Sequence, residues 1–237
     1  MMTFDNPVFC ALDTPNTERA DDLAKNLAPH IGGVKIGMEY FYATGATGYH
    51  AIARHNVPIF LDLKLHDIPN TVASAVRALS PLEPAILNVH AGGGMAMMQA
   101  AAQAAQEFGD KAPMMIAVTI LTSLEESDLH QMGISGTPTE QVLRLADMAQ
   151  QAGMSGVVCS AHEIASLRQH CGQDFKLIVP GIRPNASPTH DQKRVMTPEQ
   201  AYAEGADILV IGRAITEAEN PIASAQAITQ SLMDKAG

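Results

Sequence analysis

Short runs of consecutive apolar residues alternate with longer segments of helical periodicity along the whole chain. Eight of these runs predict strands, at 8–13, 33–38, 58–65, 85–91, 114–121, 156–161, 176–182 and 207–214. The segments that follow them predict helices, at 17–28, 39–54, 70–79, 95–107, 139–151, 162–170, 197–203 and 221–234. The chain is therefore predicted to repeat a strand-then-helix unit eight times.

The predicted strands are apolar throughout rather than alternating with polar residues, which indicates that both of their faces are buried. A closed parallel barrel with an outer ring of helices buries its strands in this way. We therefore predict an α/β fold, a (β/α)8 (TIM) barrel, in which residues 1–237 form a single domain. A doubly wound open sheet has the same alternation and is the alternative.

Composition and charge restrict the class of ligand. The 237 residues are 46% hydrophobic with a formal net charge of −10, which opposes binding to nucleic acid or to an anionic membrane. The three cysteines lack the spacing of a zinc site or a disulfide framework. The first residues lack a basic segment followed by a long apolar run. We therefore expect a cytoplasmic protein whose ligand is a small molecule.

The third predicted strand ends in three charged residues, within the segment FLDLKLHDIPNT. Asp62 and Lys64 are two residues apart and share a face of the strand, which predicts that both lie inside the barrel mouth, where barrel active sites are found. Asp67 follows in the loop, within reach of the same cluster or of a partner subunit. Buried ions need partners, so the charges indicate either a structural ion network or a catalytic array.

Asp13 and Lys35 stand at the ends of the first and second predicted strands and extend these charges into an alternating array around one rim. Such an alternation on adjacent strands favours a catalytic array. A lysine between carboxylates keeps its proton, because negative charge favours the ammonium form. Lys64 is therefore predicted to be a general acid, since a Schiff-base lysine needs the opposite environment.

A phosphate site is predicted after the eighth strand, where Gly212 and Arg213 precede a short helix. Barrels often bind phosphate in the loops after their seventh and eighth strands. The long polar linker at 183–196 contains Arg183 and Gln192 and is expected to fold over the bound anion. An arginine that is merely exposed on the surface is the alternative for Arg213.

Eight segments, in this order along the chain, resemble the bacterial type of the orotidine 5'-phosphate decarboxylase family: ALD, VKIGMEYF, FLDLKLHDIPNTV, VTILTS, VVCSAHE, VPGIRP, DQKRV and GADILVIGRAI. The resemblance extends over nearly the whole chain. It implies a homodimeric barrel with active sites at the interface, which converts orotidine 5'-monophosphate to uridine 5'-monophosphate and carbon dioxide. This reaction is the last step of de novo pyrimidine nucleotide synthesis, and the family performs it with neither metal nor organic cofactor.

The resemblance also implies roles for the charged residues. Lys64 corresponds to the proton donor to C6, and Asp62 to a residue beside the substrate carboxylate. Asp67 would complete the array from across the dimer interface. Asp13 and Lys35 would contact the ribose, with Lys35 also hydrogen-bonded to Asp62.

The remaining implied roles are in substrate binding. Thr71 would reach the ligand of the neighbouring subunit, and Thr122 of LTS would lie near the pyrimidine. The residues that resemble the phosphate grip and its closing loop are Arg183, Gln192, Gly212 and Arg213.

Three alternatives stay open at the level of sequence. A metal-dependent sugar-phosphate decarboxylase of the 3-keto-L-gulonate 6-phosphate type shares the D-x-K-x-x-D strand, although LTS and Gln192 with Arg183 favour the nucleotide substrate. No metal site is predicted, because His66 has no second histidine at ligand spacing. A Schiff-base aldolase is the second alternative. A nucleotide-binding protein without turnover is the third, and the intact array around Lys64 disfavours it.

Overall fold

The computed structural model describes residues 4–184 and 196–233. Within these residues eight parallel strands pair in chain order and close into a barrel, because β1 also pairs with β8. The strands are β1 Val8–Ala11, β2 Gly33–Gly37, β3 Ile59–Leu65, β4 Ile86–His90, β5 Met114–Val118, β6 Gly156–Val158, β7 Lys176–Pro180 and β8 Ile208–Ile211. The (β/α)8 barrel is confirmed, and the open sheet is excluded.

Helices follow every strand and form the outer layer. In the described residues they are α1 Thr17–Leu27, α2 Met38–Ala53, α3 Pro69–Leu79, α4 Met95–Gln106, α5 Glu126–Gln131, α6 Pro138–Gln151, α7 Ile164–Cys171, α8 Pro198–Ala203, α9 Arg213–Thr216 and α10 Pro221–Met233. All eight predicted helices are present to within a few residues. The short α9 follows the eighth strand as expected, whereas α5 lies in a linker for which no helix was predicted.

The predicted strands extend too far at their carboxyl ends. The first was expected to reach Asp13 but ends at Ala11, and the fifth was expected to reach Leu121 but ends at Val118. In both cases the apolar run continues past the last ladder hydrogen bond into the loop at the barrel mouth. The candidate residues Asp13 and Thr122 therefore lie in loops beyond the strands.

The interior of the barrel explains the orientation of the polar residues at its mouth. Alternate strand residues form a closed apolar cluster within the barrel, which consists of Phe9, Ala11, Phe60, Ile86, Met114, Ile116, Ile178, Ile208 and Val210. Side chains two positions further along a strand point to the same side. Asp62 lies two residues after Phe60, and Asn88 two residues after Ile86. Both therefore lie above this cluster, at the carboxyl end of the barrel.

Two further observations bear on the composition. Cys10, Cys159 and Cys171 are all buried and free of disulfides. Among the described residues, no helix combines the length and the apolar character that crossing a membrane requires.

Candidate active site

β3 carries the centre of the site and departs from regular strand geometry there. Its register against β4 shifts, because Leu61 pairs with Leu87 but the next pair is Leu65 with Val89. Three residues, 62–64, therefore stand opposite one residue of β4. Within this bulge Lys64 has φ of 51°, in the left-handed region that a residue with a side chain rarely adopts.

The bulge brings Lys64 and Asp62 into direct contact at the barrel mouth. Nζ of Lys64 donates to Oδ1 of Asp62 at 2.6 Å. On the other side of the carboxylate, Nζ of Lys35 lies 3.6 Å from Oδ2 of Asp62 and donates to Oδ1 of Asp13 at 2.9 Å. The four side chains thus form a continuous chain of alternating charge across the ends of β1, β2 and β3.

Asp62 is the more buried of the two carboxylates in this row of charges, with only 9% of its surface exposed. Burial by itself would raise the pKa of Asp62, but the ammonium groups of Lys35 and Lys64 and the hydrogen bonds from Lys64 and Asn88 hold it below its ordinary value. The carboxylate is therefore ionised at neutral pH in a largely dry environment. A fixed negative charge at this position acts strongly on any charged group of a ligand placed beside it.

Gly37, the last residue of β2, makes room for the pair formed by Lys35 and Asp13. A Cβ atom at this position would lie 2.9 Å from Nζ of Lys35 and 3.1 Å from Oδ1 of Asp13. Both distances are shorter than van der Waals contact, so a side chain here would displace the ion pair. The lack of a side chain at position 37 therefore allows Lys35 and Asp13 to pair here.

Asn88 is a residue of the site that the sequence analysis did not select. It is completely buried, and its side-chain amide contacts both Asp62 and the backbone of Lys64. The available signal was a polar residue in the middle of the apolar run AILNVHA.

Asp67 lies in the loop after β3 and Thr71 in the first turn of α3, and both are exposed. Oδ1 of Asp67 accepts a hydrogen bond from the backbone N–H of Ile68 at 2.7 Å. Across the part of the chain that the structure describes, Asp67 forms no ion pair with Lys35 or Lys64. Ile68 between them is an exposed apolar residue, with 67% of its surface accessible.

A cavity of about 180 Å³ adjoins the charged array. It is bounded by Asp13 and Lys35 on one side and by the ends of β7 and β8 on the other. Three residues of the predicted phosphate site line it, namely the buried Arg183 and, after β8, Gly212 and Arg213. Two arginines beside a lysine make this cavity suitable for an anion such as a phosphate.

Two predicted residues are not placed in this cavity. Thr122 is half-buried in the turn after β5 and is not among the residues that line it. Gln192 lies outside the described residues. Among those that are described, no three His, Cys, Asp or Glu side chains converge as ligands of a metal ion.

Charged residues and an anion-sized cavity at the carboxyl ends of parallel barrel strands are the arrangement in which (β/α)8 barrels perform catalysis. Fold and site together define a (β/α)8-barrel enzyme. Residues 6–228 match the model of the orotidine 5'-phosphate decarboxylase / HUMPS family, and the chain belongs to this family.

The relatives are similar over almost their entire length. A protein of Rhodospirillum rubrum named orotidine 5'-phosphate decarboxylase is 52% identical over 233 residues, which are 96% of this chain and 94% of the relative. One of Novosphingobium aromaticivorans with the same name is 48% identical over 227 residues, 96% of this chain and 99% of the relative. The crystal structure of orotidine 5'-phosphate decarboxylase from Lactobacillus acidophilus superposes with a TM-score of 0.86 at 38% identity, covering 96% of this chain and 99% of that one.

Proposed function

We propose that this enzyme decarboxylates orotidine 5'-monophosphate to uridine 5'-monophosphate, the last step of de novo pyrimidine nucleotide synthesis. The observation that carries the proposal is the chain of alternating charge from Asp13 to Lys64 beside a cavity lined by Arg183 and Arg213. The names and near-complete coverage of the relatives support the same substrate. They do not favour the sugar-phosphate decarboxylase considered as the alternative.

The difficulty of the reaction lies in the carbanion left at C6 when carbon dioxide departs, because the ring delocalises that charge poorly. Enzymes lower activation barriers by roughly 8 to 23 kcal/mol, and this reaction requires the upper part of that range. Without an electron sink, the protein must stabilise the transition state by charges that are in place beforehand. Lys64 supplies such a charge in our proposal and then transfers its proton to C6.

Asp62 has a complementary part in the proposed mechanism. The substrate carboxylate would lie beside it, and repulsion between the two anions would be relieved as carbon dioxide leaves. Asp62 also holds the ammonium group of Lys64 in position, at 2.6 Å. Lys35 binds Asp62 from the other side and is proposed, together with Asp13, to contact the ribose.

The phosphate of the substrate is assigned to the cavity at the ends of β7 and β8, with Arg183, Gly212 and Arg213 as its ligands. Gln192 is proposed to close over the phosphate, and Thr122 to lie near the pyrimidine. Binding energy from a phosphate remote from C6 can hold the substrate against the charged array and keep water out.

We further propose that the enzyme is a cytoplasmic homodimer, with the whole chain acting as one domain and no metal or organic cofactor. Asp67 and Thr71 would enter the active site of the partner subunit. Their exposure, the exposed Ile68 between them and the lack of an ion pair from Asp67 to its own subunit's array support this assignment. The pairing of β1 with β8, which joins the two ends of the chain, supports a single domain.

The test follows the ultraviolet absorbance of orotidine 5'-monophosphate with purified protein in excess EDTA. We expect rapid loss of the orotate spectrum with the wild type and with Lys25→Ala, a control variant of an exposed lysine on α1. Lys64→Ala should be slower by at least about 10³-fold, since both the proton donor and its charge are removed.

Other outcomes distinguish the alternatives. Activity that appears only after magnesium is added, and on a sugar phosphate, would support the metal-dependent decarboxylase. Trapping of Lys64 by borohydride in the presence of substrate would support the aldolase. Binding of uridine 5'-monophosphate by a folded wild type that turns over none of these substrates would leave a nucleotide-binding protein.

A further inference from the structure

The bulge in β3 leaves the backbone of the catalytic segment without its regular strand partner. Residues 62–64 stand opposite Asn88 alone, so the ladder between β3 and β4 is interrupted between Leu61 and Leu65. A buried backbone N–H that loses its ladder partner must find another acceptor. Lys64 has this requirement in addition to its left-handed φ of 51°, a strained conformation that persists only where the surroundings enforce it.

The amide of Asn88 meets that requirement. Its Oδ1 accepts the backbone N–H of Lys64 at 2.8 Å, and its Nδ2 donates to Oδ1 of Asp62 at 2.7 Å. The two partners fix the orientation of the amide, since an N–H needs an acceptor and a carboxylate needs a donor. Asn88 itself is fully buried on β4, so its position is set by the barrel and not by solvent.

We propose that Asn88 is a positioning residue that sets the geometry between Lys64 and Asp62 and thereby determines the rate of proton transfer to C6. One amide holds both residues: it fixes the backbone from which the Lys64 side chain starts and the carboxylate oxygen on which its Nζ ends. This inference rests on the proposed decarboxylation. It assigns no contact between Asn88 and the substrate.

The side-chain chemistry at position 88 explains why an amide is needed. Aspartate has the same shape and can accept from the N–H of Lys64, but it cannot donate to Asp62 when ionised. Alanine can do neither, so the Lys64 N–H loses its acceptor and Oδ1 of Asp62 loses one of its two donors. Since a displacement of about 1 Å in a catalytic group costs about 100-fold in rate, either change should be visible in kcat.

The first test compares Asn88→Ala with Thr119→Val. Thr119 is a matched control, because it is also completely buried, just beyond β5, and its Oγ1 donates to the carbonyl of Val158 at 2.8 Å without touching the charged array. We expect Asn88→Ala to lower kcat by about 100-fold or more with KM within about threefold. Thr119→Val should lose thermal stability and keep kcat within about threefold of the wild type.

The second test uses Asn88→Asp and measures the pH dependence of kcat/KM. If Asn88 had a purely structural role, this isosteric change would not alter that dependence. A second carboxyl group next to Asp62 makes the two acids share a proton, so that their apparent pKa values separate and one rises. The ratio of kcat/KM between this variant and the wild type should therefore fall as the pH is lowered from 8 to about 5. The same ratio for Asn88→Ala should vary much less.

Three results would overturn the inference: Asn88→Ala with kcat within threefold of the wild type, equal losses of kcat in Asn88→Ala and Thr119→Val, or a pH-independent ratio for Asn88→Asp. A wild type that does not decarboxylate orotidine 5'-monophosphate would instead refute the proposed function. In that case the crystal structure of Asn88→Ala decides whether Asn88 positions Lys64 and Asp62. A changed φ of Lys64 or a lost contact from its Nζ to Asp62 would support it, and an unchanged pair would refute it.

Discussion

Nζ of Lys64 lies 2.6 Å from Oδ1 of Asp62, and Nζ of Lys35 approaches the other oxygen of the same carboxylate at 3.6 Å. In the proposed mechanism, the proton donor Lys64 is thus oriented by a carboxylate that Lys35 also contacts. Preorganised charges of this kind stabilise a transition state without reorganisation at the moment of reaction. Residues that maintain the pair should consequently affect kcat and its dependence on pH more than they affect the binding of substrate.

Replacing Lys35 by alanine removes one of the two ammonium groups that lower the pKa of Asp62. Burial then raises the pKa of Asp62 with less opposition, so part of the carboxylate is protonated in mild acid. We expect kcat/KM to fall by about 10² to 10³-fold at neutral pH and the ratio of variant to wild type to fall further as the pH decreases from 7 to 5. Stopped-flow or steady-state absorbance at several pH values measures this ratio, and a constant ratio would contradict the assignment.

Gly37→Ala should reduce activity while leaving the fold intact. Gly37 has φ of −87° and ψ of −179°, which alanine adopts without strain, so the effect comes from the Cβ atom pressing on Lys35 and Asp13. We expect kcat/KM about 10-fold lower and a melting temperature close to that of the wild type.

Gly109→Ala is the converse control for that prediction. Gly109 has φ of 56°, and its added Cβ would meet no atom within 4 Å. This variant should lose about 1 kcal/mol of stability through backbone strain and keep its activity. If Gly37→Ala instead behaved like Gly109→Ala, the close approach at the ion pair would have no catalytic meaning.

The apolar runs and the helical periodicity of the sequence predicted eight strand-then-helix units and favoured the barrel, because each strand is buried on both faces and each helix on one. They did not exclude an open sheet, which the pairing of β1 with β8 rules out. The sequence also predicted that Asp62 and Lys64 lie together, but for an incomplete reason. Regular strand alternation suggested a shared face, whereas in the structure a bulge and a left-handed Lys64 bring Nζ onto the carboxylate. A bulge depends on the register of a strand 24 residues away, and nothing in the local pattern of β3 reveals it.

Asn88 illustrates the same limit from the other strand. A polar residue within an apolar run was visible in the sequence, but its two partners are on β3, and only the three-dimensional register identifies them. Residues whose function depends on non-local pairing are thus the ones that sequence periodicity does not predict.

Arg213→Ala should lower kcat/KM by about 30-fold or more, because truncating one partner of a charge-assisted contact typically costs about 2–5 kcal/mol. Arg213 begins α9 and lines the cavity to which the phosphate is assigned. The control is Arg77→Ala, which removes an exposed arginine that pairs with Glu107 at 2.6 Å on the outer helices. Its loss should leave the melting temperature and kcat/KM close to those of the wild type. Near wild-type kcat/KM in Arg213→Ala would contradict the assignment of the phosphate to this cavity.

Mixing two inactive variants tests whether Asp67 serves the partner's active site. In a dimer of one Lys64→Ala subunit and one Asp67→Asn subunit, the site of the latter keeps its own Lys64 and receives an unmodified Asp67 from its partner. Random reassociation makes half of the dimers mixed, each with one intact site, so the activity should recover to about one quarter of the wild type.

The matched control is Lys64→Ala mixed with Asp62→Asn. Asp62 and Lys64 lie in direct contact within one subunit. Each subunit of that mixed dimer therefore lacks one of the two residues, and neither active site is intact. Recovery in the first mixture alone places Asp67 across the interface, whereas no recovery in a sample that exchanges subunits confines it to its own chain.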